Sequence, residues 1–421
     1  MQTYSLYIHI PFCTSKCTYC DFFSIPVGSD FSFCDKTQKI FKDYVLALKK
    51  ELEYYFEKFQ IKSLKTIYIG GGTPSLLSVE QIQDIFNFIS SKLKIEENAE
   101  ITLEANPQDI SEEFLEKLKK TPVNRLSLGI QCCNDNVLKT LERRCDINQV
   151  NFALEIIKNK WVSCGLSFSC DLISGLPFLS DEDFIFGLEK VISSGVNHIS
   201  LYSLMIEDGT VLEKQISRNE IEYSDEKNDN QWILGKEFLE KKGFYQYEVS
   251  NFAKKGFESR HNTVYWRTEN YLGCGAGATG TVDCFRWNNV CDVEKYCDFW
   301  LSADFGENFV YELEKVQNEK NPRIVEILSE KEKEFEFLMM GFRLREGVKS
   351  SVYKKRFGFD LGKRLGCSLD SKIEKKNLGV FDKWKEKKLC DVEKVLGKED
   401  ERFFLTGEGL LFLNQFLEEV M

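Results

Sequence analysis

Long apolar runs are absent from this chain of 421 residues, and so is an export signal at its start. A transmembrane helix needs about 20 consecutive apolar residues, and no run reaches that length. The N-terminus begins directly with the alternating pattern of a β-strand instead of the charged and apolar regions of a signal peptide. We therefore expect a cytoplasmic protein without a membrane span.

An excess of basic residues is also missing. The chain carries 56 Lys and Arg against 67 Asp and Glu, which gives a net charge of −11. Residues 311–421 are nearly balanced, with 23 basic and 22 acidic residues, so the acidity lies in the first three-quarters. Tight binding to a phosphate backbone requires a basic stripe, which neither part provides. We therefore expect no nucleic acid among the partners.

Cysteine, in contrast, is abundant, with 15 residues. In a reducing compartment cysteines remain thiols or metal ligands, and three of them are arranged as Cys13-x3-Cys17-x2-Cys20. Three thiolates in one loop hold three corners of a [4Fe–4S] cluster and leave the fourth iron open to a reactant. The alternative is a structural zinc loop, which needs a fourth nitrogen or sulfur ligand, and His9 is the candidate nearby. The remaining cysteines show no metal-ligand spacing, and we expect most of them to fill the core.

Short strand-like runs alternate with helix-like segments over the first 200 residues. The runs are Leu6–Ile10, Thr66–Ile69, Glu100–Glu104, Arg125–Ile130, Leu166–Ile173 and His198–Tyr202. This alternation predicts an α/β fold with a parallel sheet, and six such units favour a partial (βα)6 TIM-like barrel over a closed barrel of eight. Past residue 300 the chain turns to helical segments rich in Lys and Glu. We predict a barrel domain over residues 1–299 and a small, mostly helical, winged-helix-like domain over residues 300–421.

Polar and glycine residues cluster where these predicted strands end. The cysteine loop follows the first strand, Gly70-Gly71-Gly72-Thr73-Pro74 follows the second, Glu104 ends the third, Gln131 follows the fourth, and Asp171 lies late in the fifth. A glycine backbone can approach a ligand closely, carboxylates accept hydrogen bonds from an amine or a ribose, and Arg143 can grip a carboxylate. Because barrels place their chemistry at strand ends, we predict one shared site for a small polar cofactor beside the cysteine loop.

Only three histidines occur in the chain. His198 precedes an apolar run, which indicates a structural role, and His9 precedes the cysteine loop, where it can orient the loop. His261 lies in the segment Arg260-His261-Asn262-Thr263-Val264-Tyr265-Trp266. An imidazole beside large aromatic rings suits axial ligation of a haem, and the alternative is an ordinary loop histidine packed on Trp266. From the residues alone we favour the ordinary histidine.

The cysteine triplet, with Tyr19 before its last member, resembles the signature of the radical S-adenosylmethionine superfamily. The surrounding segments are similar to those of the oxygen-independent coproporphyrinogen oxidase group over nearly the whole chain. These segments are Tyr7–Cys13, Gly70–Pro74, Glu104–Pro107, Ser127–Gln131, Asp171–Pro177 and Tyr247–Ala253. Carried over by position, the resemblance implies that S-adenosylmethionine contacts Tyr7, Tyr19, Gly72, Thr73, Pro74, Glu104, Gln131, Arg143 and Asp171, with Met205 as a further candidate.

Two positions separate the branches of this group. The coproporphyrinogen dehydrogenases carry a further cysteine two residues after Cys20, where this chain has Phe22. The segment His261–Trp266 is similar to the His-Asn-x-x-Tyr-Trp segment of the HemW haem chaperones, and this reverses the preference on His261 in favour of a haem contact. Two departures put other contacts in doubt, because Cys145 and Thr279 stand where relatives have histidines.

The resemblance implies a haem chaperone that binds haem, a [4Fe–4S] cluster and S-adenosylmethionine and passes haem to an acceptor protein. The alternatives are an oxygen-independent coproporphyrinogen III oxidase of porphyrin biosynthesis and a radical methyltransferase that opens haem. Whether the protein is an enzyme, and whether it consumes S-adenosylmethionine, stays open at this point. The acceptor protein is not indicated by the sequence.

Overall fold

A parallel sheet forms the first half of the chain. The computed structural model describes residues 3–28, 35–302, 323–367, 379–395 and 400–421. The first eight strands are β1 (Thr3–Ile10), β2 (Phe12–Cys13), β3 (Ile25–Pro26), β4 (Ser63–Gly71), β5 (Lys94–Ala105), β6 (Arg125–Gln131), β7 (Ser167–Ser174) and β8 (His198–Ser203). Strands β1, β4, β5, β6, β7 and β8 are parallel and pair in chain order, which confirms the predicted α/β fold.

Among the described residues, six α-helices lie between the parallel strands and two more follow the last of these strands. They are α1 (Asp35–Lys58), α2 (Val79–Lys92), α3 (Glu112–Leu118), α4 (Asp135–Thr140), α5 (Ile147–Lys160), α6 (Asp181–Ser193), α7 (Val211–Ser217) and α8 (Asp225–Lys241). Helix α2 begins with a capping box, in which the Ser78 side chain accepts from the Gln81 N–H and the Gln81 side chain accepts from the Ser78 N–H. These connections bring the carboxyl ends of all six strands to the same edge of the sheet.

The sheet continues beyond the six parallel strands on both sides. The additional elements are β9 (Tyr245–Gln246), β10 (Asn251–Ala253), α9 (Arg260–Trp266), β11 (Tyr271–Cys274), β12 (Thr279–Val282), β13 (Phe285–Asn289), α10 (Val293–Ser302) and β14 (Arg323–Ile327). Strand β11 pairs with β1 in parallel, with Cys274 opposite Ile8. The first strand of the chain therefore lies inside the sheet, between β4 and β11.

A second hydrophobic cluster lies near the C-terminus. Its elements are α11 (Glu330–Gly341), β15 (Val348–Lys349), α12 (Ser350–Phe357), α13 (Leu361–Leu365), α14 (Val380–Glu386), β16 (Cys390–Lys394), β17 (Glu401–Leu405) and α15 (Leu413–Val420). Helices with a small antiparallel sheet, in the order β15-β17-β16, are the elements expected of a winged-helix-like unit. The main sheet takes its last strand, β14, from beyond residue 300, so the boundary at that residue stays a prediction. Within the described residues, no helix is long and apolar enough to cross a membrane.

Candidate functional site

One cavity of about 420 Å³ opens at the carboxyl ends of the parallel strands, and it brings together most of the predicted site residues. The predicted residues in its wall are Cys13, Cys17, Cys20, Tyr19, Gly72, Thr73, Pro74, Glu104, Gln131, Arg143, Asp171 and Met205. Two predicted residues, Tyr7 and His261, lie outside this wall. The strand-end argument therefore located one shared site, while the binding role of each residue stays a prediction.

The cysteine loop is closed at its base by the short parallel pair β2 and β3. The Val27 N–H donates to the Cys13 carbonyl oxygen at 2.8 Å, and the Ile25 N–H donates to the Pro11 carbonyl oxygen at 2.7 Å. All three thiols are partly exposed to the cavity. The fold therefore presents the three sulfurs on one short loop, as a cluster with three protein ligands requires.

Two donors outside the loop reach the cysteine sulfurs. The Thr73 hydroxyl donates to Cys13 Sγ at 3.4 Å, and Arg143 Nη1 donates to Cys17 Sγ at 3.8 Å. Hydrogen bonds to sulfur and a nearby cation favour thiolates and stabilise a bound iron–sulfur cluster. The donor set therefore fits a [4Fe–4S] group.

The zinc alternative depended on His9 as a fourth ligand. In the structure His9 Nδ1 lies 2.9 Å from the Tyr7 hydroxyl, and His9 Nε2 lies 3.0 Å from the Phe23 carbonyl oxygen. In the part of the chain that the structure describes, no three His, Cys, Asp or Glu side chains converge into a ready-made metal site, and this applies to the three cysteines as well as to His9. His9 instead connects strand β1 to Phe23, which lies shortly after the cysteine loop.

The glycine segment after β4 lies directly against the cysteine loop. A Cβ on Gly72 would stand 2.6 Å from the Phe12 carbonyl oxygen, so only glycine allows the two backbones to approach this closely. Thr73 follows and is almost fully buried, where it also accepts from Asn106 Nδ2 at 3.0 Å. The segment forms one wall of the cavity next to the Cys13 sulfur, as predicted from the glycine triplet.

Two carboxylates lie in the cavity wall. Glu104 accepts from the Tyr68 hydroxyl at 2.7 Å and from the Gly71 N–H at 3.0 Å, and burial raises its pKa to about 7. Burial also raises the pKa of Asp171, although hydrogen bonds from Ser200 and Ser127 oppose the shift. A ligand that donates hydrogen bonds, such as an amine or a ribose, would stabilise the ionised forms of both groups.

Arg143 extends a guanidinium between the cysteine loop and the strand ends. Its Nη2 donates to Asn106 Oδ1 at 3.0 Å and to the Gly129 carbonyl oxygen. Gln131, which follows on the same strand as Gly129, has a φ of 68°, a left-handed conformation that is uncommon for a residue with a side chain. This conformation ends strand β6 and holds the amide in the cavity wall.

The sequence reasoning missed Arg125, which lies almost fully buried in the same wall. Its positive charge opposes the rise in the pKa of Glu104 and of Asp171, so it favours their ionised forms. A signal for it was present in strand β6, where Arg125, Ser127, Gly129 and Gln131 alternate with apolar residues and all line the cavity. Period-two alternation places such residues on one face of a strand.

His261 is enclosed instead of facing the cavity. It lies on helix α9, not in a loop, with Nδ1 2.8 Å from the Thr66 hydroxyl and Nε2 2.8 Å from the Tyr265 hydroxyl. Its ring stacks on Tyr68 at 5.2 Å, and burial lowers its pKa to about 3. His198 is similarly buried and lies 2.8 Å from the Tyr247 hydroxyl, which agrees with the structural role predicted for it.

The chain is similar in sequence and in fold to known proteins. Residues 7–190 match the family model described as Radical SAM superfamily. A Lactococcus lactis subsp. lactis protein named Heme chaperone HemW is 35% identical over 418 residues, covering 99% of this chain and 97% of the relative. A Haemophilus influenzae protein of the same name is 32% identical, covering 98% of this chain and 97% of the relative. The solved structure of coproporphyrinogen III oxidase (HemN) from Escherichia coli has a TM-score of 0.74 at 19% identity, covering 99% of this chain and 89% of that chain, which shows a shared fold.

Proposed function

The chain belongs to the radical SAM superfamily and to its HemW family, and from this membership we propose that it is a haem chaperone. In this proposal it binds a [4Fe–4S] cluster and S-adenosylmethionine in the cavity, and it carries haem to an acceptor protein. One observation carries the cofactor assignment: the three cysteines share a single cavity with the strand-end residues predicted to hold S-adenosylmethionine. We also propose a cytoplasmic location, because thiolate ligands and free cysteines require a reducing compartment.

Cys13, Cys17 and Cys20 would hold three irons of the cluster and leave the fourth iron to S-adenosylmethionine. A reduced cluster of this kind supplies an electron that can cleave the sulfonium bond. Thr73 and Arg143 donate to two of the cysteine sulfurs, and such hydrogen bonds adjust the reduction potential of a cluster.

The remaining residues of the wall would hold the rest of S-adenosylmethionine. Glu104 and Asp171 accept hydrogen bonds from the amine or the ribose hydroxyls, and the guanidinium of Arg143 pairs with the carboxylate. The Gly72 backbone approaches the ligand where a side chain would fill the space. The positive charge of Arg125 opposes the rise in the pKa of both carboxyl groups and so favours the ionised forms that this task requires.

Phe22 favours haem transfer over porphyrinogen oxidation. It occupies the position at which the oxidising relatives carry a further cysteine, it lines the cavity, and it is 65% exposed. A phenyl ring has no acidic hydrogen or thiolate to contribute to a radical decarboxylation, whereas an exposed aromatic face can stack on a flat tetrapyrrole. The chain therefore keeps the cofactor site and lacks that cysteine.

Haem ligation by His261 requires a rearrangement of helix α9 or of the His261 side chain. Both ring nitrogens are engaged, by Thr66 and Tyr265, and the side chain is only 1% exposed. A coordinating nitrogen must give up one of these hydrogen bonds before it binds iron. In this proposal haem binding therefore includes a conformational step.

Haem titration of the purified protein tests the proposal. We expect about one haem per chain in the wild type, weaker or spectrally altered binding in His261→Ala, and normal binding in His198→Ala. The second variant is a matched control, because His198 is also buried and hydrogen-bonded to a tyrosine. Absence of haem uptake by the wild type at micromolar concentration would refute the chaperone proposal.

Oxygen-independent coproporphyrinogen III oxidation is the second candidate, because the cavity retains the polar residues expected for S-adenosylmethionine. An anaerobic assay of the reconstituted protein with dithionite, S-adenosylmethionine and coproporphyrinogen III separates the two. Formation of protoporphyrinogen would favour the oxidase, and its absence together with haem binding would favour the chaperone.

A further inference from the structure

The loop between β11 and β12 packs against both ends of the cysteine loop. Together with the strand residues at its two ends, it forms the glycine loop of residues 273–279, with the sequence Gly273-Cys274-Gly275-Ala276-Gly277-Ala278-Thr279. Gly275 has a φ of 105°, and a Cβ on it would stand 2.4 Å from the His9 carbonyl oxygen. Gly277 has a φ of 78°, and a Cβ on it would stand 2.8 Å from Cδ1 of Phe23. The loop therefore contacts the chain before Cys13, at His9, and after Cys20, at Phe23.

A buried carboxylate holds this glycine loop in place. Glu51 of helix α1 has no exposed surface, and its Oε2 accepts from the Gly275 N–H at 2.7 Å and from the Tyr296 hydroxyl at 2.5 Å. Its Oε1 accepts from Asn289 Nδ2 at 2.7 Å, and the same nitrogen donates to the Gly275 carbonyl oxygen at 2.8 Å. Burying a carboxylate is costly unless donors surround it, so these three donors define where the carboxylate and the loop lie.

Tyr44 joins the glycine loop to strand β1. Its hydroxyl donates to the His9 carbonyl oxygen at 2.7 Å and accepts from the Ala276 N–H at 2.9 Å. The His9 ring in turn lies 3.0 Å from the Phe23 carbonyl oxygen and stacks on the Phe23 ring at 6.2 Å. A continuous set of contacts therefore runs from Glu51 to the residues on either side of the three cysteines.

We propose that Glu51 and the glycine loop of residues 273–279 position the cluster. They fix the two ends of the cysteine loop, so that the open iron faces the residues that hold S-adenosylmethionine. Within the described residues the glycine loop adds nothing to the cavity wall, so Glu51 and the loop act through His9 and Phe23. This inference rests on the proposed cluster and goes beyond it, because nothing in the cysteine motif assigns a role to Glu51.

Two glycine substitutions with the same backbone cost test the proposal. Gly277→Ala and Gly165→Ala both place a side chain at a left-handed φ, 78° and 80°, but a Cβ on Gly165 would have no atom within 4 Å. Each variant is reconstituted anaerobically, and the electron paramagnetic resonance signal of the reduced cluster is followed as S-adenosylmethionine is added. We expect the half-saturating concentration to rise about tenfold in Gly277→Ala, because small misplacement of a reacting group is costly, and to stay near the wild-type value in Gly165→Ala.

A pair of carboxylate variants on helix α1 tests the contribution of Glu51 to the same set of contacts. Glu51→Gln keeps the side-chain shape and removes the charge, and Glu57→Gln does the same at an exposed position. We expect Glu51→Gln to weaken the response of the electron paramagnetic resonance signal to S-adenosylmethionine, and Glu57→Gln to leave it unchanged. If Gly277→Ala or Glu51→Gln fails to fold, Tyr296→Phe removes only one donor to Glu51 and answers the same question.

The outcomes separate the inference from the proposed function. A wild-type protein that takes up no cluster refutes the cluster assignment itself. A wild-type protein with a normal cluster, and variants that lose thermal stability without any change in the signal or in its response to S-adenosylmethionine, would show that Glu51 has only a structural role and overturn the inference.

Discussion

Replacing Glu104 by Gln should change how the stability of the cofactor-free protein depends on pH. Burial raises the pKa of this carboxyl from 4.5 to about 7, so the folded protein keeps the proton to a higher pH than the unfolded chain does. Between these pH values folding takes up a proton, and stability therefore falls as the pH rises. Below pH 4.5 both states are protonated, and above pH 7 the loss is complete.

The size of the effect follows from the shift. The interval is 7 − 4.5 = 2.5 pH units, and at about 1.4 kcal/mol per unit the wild type loses about 3.5 kcal/mol. Glu104 lines the cavity and is only half-buried, so solvent screening reduces this figure, and we expect about 2 kcal/mol between pH 5 and pH 8. Glu104→Gln has no proton to take up, so its stability relative to the wild type should increase by that amount over the same range.

Urea unfolding of both proteins at pH 5 and pH 8 measures this difference. Changes that do not depend on pH, such as altered hydrogen bonds to Tyr68 and Gly71, cancel when the two pH values are subtracted. Glu57→Gln, at an exposed position of helix α1, controls for the loss of one carboxylate. An equal gap between wild type and Glu104→Gln at the two pH values would refute the argument that burial raises the pKa of Glu104.

Three further changes test other parts of the site. Cys17→Ala should abolish cluster uptake, and full iron content in this variant would contradict the ligand assignment. Cys164→Ala, at an exposed cysteine outside the triplet, should keep the iron content of the wild type. Arg143→Lys should weaken S-adenosylmethionine binding by about 2 kcal/mol, roughly thirtyfold, because the single nitrogen of lysine cannot donate to Cys17, Asn106 and Gly129 and also pair with a ligand carboxylate. Arg144→Lys, at an exposed neighbour, should not weaken it, and isothermal titration of the reconstituted proteins measures the difference. Gly72→Ala should lower the free energy of unfolding by about 1–3 kcal/mol through steric strain, because its Cβ would stand 2.6 Å from the Phe12 carbonyl oxygen. An unchanged unfolding midpoint would show that the backbones at Gly72 and Phe12 can separate without cost.

Local patterns in the sequence were sufficient to locate the strands and the site. Each predicted strand falls on an observed one; the run Thr66–Ile69, for example, lies within Ser63–Gly71. Residues at the ends of parallel strands meet at one edge of the sheet, and this rule brought Glu104 and Asp171 to the same cavity. These features depend on the period of a strand and on short connections, which a sequence displays directly.

Features set by distant contacts could not be predicted. Tyr7 was assigned to the cofactor site, but in the structure its hydroxyl lies against His9 and it is outside the cavity wall. The alternative to a haem contact placed His261 in a loop, yet it lies in the first turn of helix α9, whose packing on Tyr68 depends on strand β4. Both residues stack on Tyr68 of strand β4, which is distant from each of them in the sequence, and no local pattern records such a contact.

The position of β1 inside the sheet has a consequence for synthesis on the ribosome. Ile8 pairs with Cys274, and 274 − 8 = 266 residues separate them. At a translation rate of about 5–20 residues per second, roughly 13–50 s pass between the synthesis of strand β1, which leads into the cysteine loop, and that of its partner β11. The strand that is made first therefore gains this neighbour only after most of the chain has been synthesised.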